Sequence, residues 1–60
     1  MNNAAFITTE QAANILSIPA IAVGQIVADN KLKMWGGFSF KLTDVENLLE
    51  TELEYIESLR

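Results

Sequence analysis

Sixty residues, half of them apolar, allow one small domain that buries about 60% of its unfolded surface and is stable by only a few kcal/mol. With neither cysteine nor histidine, the chain lacks disulfides, thiolate metal ligands, the commonest transition-metal ligand and the usual general base. The net charge of −4 argues on average against nucleic acid, but it is polarised: residues 1–43 carry +1, residues 44–60 carry −5, and Lys31, Lys33 and Lys41 fall within eleven residues.

No apolar run approaches the ~18 residues of a membrane span, and no basic segment leads into an apolar one. A cytoplasmic protein with no signal peptide and no membrane contact is therefore expected. The first element is "ITTEQAANIL". Thr8 followed by Gln11 has the spacing of a capping box, and Ala12, Ile15 and Leu16 recur on one face, which predicts a helix over about Thr9 to Leu16. Ser17-Ile18-Pro19 ends it, because proline is tolerated only in a helix's first turn.

A second helix is predicted over about Pro19 to Asp29, with Ala22, Val23, Ile26 and Val27 as its apolar face. Ala20, Gly24 and Ala28 lie four apart on another face that is nearly bare of side chain, and Asn30 suits a left-handed C-terminal cap. "LKMWGGFSFKL" reads as a hairpin. A three-residue loop, Trp35-Gly36-Gly37, pairs Met34 with Phe38 and Leu32 with Phe40 and keeps the apolar set on one face, with Trp35 at the tip. The last helix is predicted from a second capping box, Thr43 with Glu46, and its stripe of Val45, Leu48, Leu49, Leu53, Ile56 and Leu59 runs in phase to the end.

The order helix, tight turn, helix, two-stranded wing, helix resembles the winged helix-turn-helix of excisionases and of the N-terminal domain of MerR-type regulators. The motifs that carry the resemblance are "FITTEQAANIL" with Ala13 buried, "SIPAIAVGQIVADNKL" and "KLTDVENLLE", together spanning about Phe6 to Glu50. It implies an α+β fold; the length allows one domain over residues 1–60, and the in-phase Leu53, Ile56 and Leu59 predict that residues 51–60 extend the last helix. The resemblance also implies a second helix that enters the major groove of double-stranded DNA and a wing that touches backbone or minor groove. In such proteins the first turn of that helix carries basic residues. Here Ala20 and Ile21 stand there, Gly24-Gln25 replaces an aromatic-arginine pair, and Ala28 fills a later basic position.

The candidate contacts to DNA or a protein partner are accordingly Ala20, Ile21, Gly24, Gln25, Lys33, Trp35, Gly36 and Lys41. Gln25 is suited to read adenine through paired contacts, and three lysines release few counterions, so a lone copy binds weakly. An isoleucine exposed at position 21 beside a flat stripe suits a protein contact. Leu53, Ile56 and Leu59 are candidates for self-association, as in MerR-type relatives, where the helix after the wing dimerises. Glu46, Glu50, Glu54 and Glu57 read as a solvated face. No enzyme, cofactor, metal or small-molecule substrate is expected. The leading expectation is a DNA-binding accessory or regulatory protein, of a phage or mobile element as the resemblance implies. The rival is the same fold used as a protein-binding module.

Overall fold

Thr8 starts the first helix as its spacing predicts. Its hydroxyl accepts from the Gln11 amide at 3.1 Å, and Gln11 Oε1 accepts from the Thr8 amide at 2.9 Å. These atoms belong to a computed structural model that describes residues 5–37 and 39–60. Its elements in chain order are β1 (Phe6–Thr8), α1 (Thr9–Leu16), α2 (Ala20–Ala28), β2 (Ser39–Lys41), α3 (Leu42–Thr51) and α4 (Leu53–Ser58). The class is α+β.

The helix α1 ends on Ser17, a non-glycine residue in the left-handed region at φ 56°, ψ 45°. That conformation lets the Ile18 amide reach back to the Ala13 carbonyl at 3.0 Å and turns the chain sharply. After three residues, α2 leaves at 94° to α1. Pro19, the predicted start, is the N-cap of α2, and the helix begins one position later at Ala20. Asn30 ends α2 with φ 60°, as read from the sequence, and the Lys31 amide closes on the Ile26 carbonyl at 3.1 Å.

The hairpin expectation needs correction. Leu32–Met34 is not a strand, and β2 pairs instead with β1, antiparallel, with Phe6 opposite Lys41, Ile7 opposite Phe40 and Thr8 opposite Ser39. This pairing sets Ile7 beside the fully buried Phe40, while Leu32 is buried without joining any ladder. Trp35 is bridged to Ser39 by two backbone hydrogen bonds of 2.7 and 2.9 Å, so it stands at the base of the turn and not at its tip. Gly36 and Gly37 take φ 57° and 85°, which side-chain-bearing residues rarely adopt. The expected Met34–Phe38 pair involves Phe38, which lies outside the described residues.

The C-terminal helix also differs. Lys41, the last strand residue, is itself the N-cap of α3 and makes no side-chain cap. Strand passes directly into helix, so Thr43 lies in the first turn and the Thr43–Glu46 box does not form. Asp44 keeps its favourable place in that turn. The predicted continuous stripe breaks at Glu52, at φ −127°, ψ 40°. Just before it, Thr51 Oγ1 donates to the Asn47 carbonyl at 2.9 Å, a back-bond that bends helices.

The break has a packing reward. It turns α4 so that Ile56 is fully buried, joining Ala12, Ala13, Leu16, Val23, Ile26, Phe40, Val45 and Leu48 in the core. Of the residues 51–60 expected to extend the last helix, only Thr51 belongs to α3, and those from Glu52 on do not continue it. They fold back, and Arg60 donates through Nε and Nη2 to the Leu16 carbonyl at 3.2 and 3.0 Å. That carbonyl ends α1, where Pro19 has no amide to offer nearby. Among the described residues no single helix is long and apolar enough to cross a membrane.

Candidate functional site

Two surfaces remain after the core is assigned. The first is the outer face of α2. With Val23 and Ile26 turned inward, helical periodicity sends Ala20, Ile21, Gly24, Gln25 and Ala28 outward, and all five are exposed. Ile21 is 87% exposed. Among the described residues a Cβ added at Gly24 would meet nothing within 4 Å, and Ala20 and Ala28 are exposed on the same face. No charged residue lies between Ser17 and Ala28.

Gln25 is tethered. Its Nε2 donates to Asp29 Oδ1 at 3.2 Å, one helical turn on, and the Tyr55 hydroxyl donates to Asp29 Oδ2 at 2.5 Å from α4. Hydrogen bonding to Asp29, then burial, then the charges of Asp29 and Glu52 push the Tyr55 phenol up from 10.0 to about 12. It stays a donor throughout the physiological range.

The second surface follows from strand parity. Ile7 and Phe40 point to the core, so Phe6, Ser39 and Lys41 point outward, together with Trp35 through its bridge to Ser39. The outcome is a basic-aromatic cluster. Lys33 Nζ lies 4.0 Å and Lys41 Nζ 4.6 Å from the Trp35 ring centroid, and the Phe6 ring meets Trp35 edge-on at 6.1 Å and 71°. Each cation–π contact is worth about 0.5–1 kcal/mol at such a site. Among the described residues Lys33 and Lys41 pair with no carboxylate, whereas Lys31 bridges to Glu52 at 3.4 Å. The Trp35 ring is half-buried, and its Nε1 is buried with no hydrogen-bond partner among the described residues.

The candidate residues thus fall into two groups: Ala20, Ile21, Gly24 and Gln25 on α2, and Lys33, Trp35, Gly36 and Lys41 around the turn. Gly36 shapes that turn. Leu53, Ile56 and Leu59 do not form one outer face: Leu53 is 45% exposed, Leu59 half-buried and Ile56 fully buried, so Ile56 serves the chain's own core. Glu46, Glu50, Glu54 and Glu57 are all exposed.

Sequence reasoning missed Phe6, whose signal was its alternation with Ile7 in a stretch read only as a helix start. It also missed an open groove of about 480 Å³ between Asn30–Lys33 and the Asp44, Asn47 and Thr51 side of α3. Among the described residues no group of three or more histidine, cysteine, aspartate or glutamate side chains converges as a metal site. Compared with family models, curated proteins and solved structures, the chain matches none.

Proposed function

We propose that this chain is a winged helix-turn-helix protein of excisionase type that binds double-stranded DNA as a small accessory or regulatory factor. The outer face of α2 lies along the groove, and Lys33 and Lys41, braced on Trp35, contact backbone phosphates. One observation carries the reading. In a chain of net charge −4, two of four cations are held beside a single aromatic ring with no acidic partner among the described residues. The 94° crossing of α1 and α2 supports it, since helix-turn-helix pairs meet at about 90–120°.

Two phosphate-binding lysines imply weak binding with a shallow salt dependence. The slope of log K against log salt is about −1.8 per bound chain, and each lysine-to-alanine change brings it about 0.9 closer to zero. Titration of a labelled duplex at several salt concentrations reads both. No complex at high micromolar protein and low salt rejects the proposal.

A second reading is favoured by Ile21. At 87% exposed on a face without charge, it suits a protein contact, in which the same fold serves as an interaction module. Under that reading Ile21→Asp abolishes partner capture, and Lys33→Ala has no effect on it.

A further inference from the structure

Resting on the reading that α2 faces DNA, we infer that Asp29 and Tyr55 are positioning residues that fix the amide of Gln25 for reading adenine. A glutamine amide has two unlike ends, and on a free side chain either can face outward. Asp29 removes that freedom. Its carboxylate only accepts, so it takes the Nε2 end at 3.2 Å and leaves Oε1 and the second amide proton for a ligand. That outward pair, one acceptor beside one donor, matches the N6 donor and N7 acceptor of adenine in the major groove.

Asp29 is itself exposed at the end of α2 and needs a restraint. Tyr55 supplies it by donating to Oδ2, which leaves Oδ1 for Gln25. The tyrosine is held in turn. It precedes the fully buried Ile56, and Lys31, already bridged to Glu52, lies with Nζ 5.0 Å from its ring centroid. The break at Glu52 is what brings the phenol to α2, so the C-terminal segment serves the reading face without touching the ligand.

The relay separates specificity from affinity, which a purely structural role would not do. The test is selection from a duplex library of random sequence, comparing wild type with Gln25→Ala, Tyr55→Phe and Asp29→Asn. Wild type prefers adenine at one position and Gln25→Ala erases the preference. Tyr55→Phe lowers it about threefold or more with the salt slope unchanged, since one good paired contact discriminates by about fivefold to a hundredfold. Asp29→Asn flattens the preference while tightening binding to every duplex, because a negative charge near phosphates is gone and asparagine can meet either end of the amide.

In the free protein, the Gln25 side-chain amide protons shift by NMR in both Tyr55→Phe and Asp29→Asn. Wild-type preference retained in either relay variant, or in Gln25→Ala, overturns the relay alone. Unmoved Gln25 amide signals also overturn it. If wild type binds no duplex, the DNA reading and the relay fall together.

Discussion

Gly24→Ala isolates the outer face of α2. Glycine in a helix interior costs about 1 kcal/mol relative to alanine, through backbone entropy and lost side-chain burial. Gly24 sits mid-helix with no positive φ, and a Cβ built there meets nothing within 4 Å, so none of the described residues opposes the substitution. The full helix-propensity gain should therefore appear as about 1 kcal/mol of added stability. In a domain of this size that raises Tm by about 4–8 °C. Urea unfolding followed by the single tryptophan should show a higher midpoint with an unchanged slope. A lower midpoint would mean that another segment covers this face, and the outward orientation of α2 would be refuted. Under the proposed function, an added methyl on this stripe should at the same time weaken duplex binding, separating stability from function.

Other perturbations probe the joints of the fold. Ser17→Gly should stabilise by about 0.5–1 kcal/mol, because glycine takes φ 56° without the Cβ strain that serine bears; Ser17→Val should destabilise, both read by urea midpoint. Ile56→Ala should cost about 2–5 kcal/mol, enough to unfold much of so small a domain, and loss of far-UV circular dichroism at 25 °C checks it. The Tyr55 phenol is higher in the folded state, so its stabilisation is complete below pH 10 and is lost as pH rises toward about 12. The stability gap between wild type and Tyr55→Phe should close across that window and stay constant below it.

The local signals in the sequence were legible where one short-range interaction decides the outcome. Thr8 and Gln11 form their box because both partners lie three residues apart and nothing competes. Asn30 takes the left-handed conformation its amide side chain tolerates. Thr43 and Glu46 show the same spacing as Thr8 and Gln11, yet the strand ahead of them runs straight into the helix and leaves no place for a cap. The predicted hairpin register does not form because β2 pairs with Phe6–Thr8, a three-residue strand too short to show a period in the sequence.

The helix break was hidden for a different reason. Leu53, Ile56 and Leu59 stay in phase with the preceding stripe, and only tertiary contacts disclose the bend: Ile56 in the core, Arg60 on the Leu16 carbonyl, Thr51 bonded back to Asn47. The candidate site divides along the same line. Lys33, Trp35 and Lys41 were visible as a local cluster. Phe6 and the Tyr55–Asp29–Gln25 chain needed residues brought together across 26 or more positions.

The most direct test of the account is an amide chemical-shift map of the labelled protein titrated with duplex DNA. The perturbed amides are expected at Ala20, Ile21, Gly24 and Gln25 and around Lys33, Trp35 and Lys41, with α3 and α4 silent at Glu46, Glu50, Glu54 and Glu57. Shifts confined to the acidic helices, or none at saturating duplex, would contradict it.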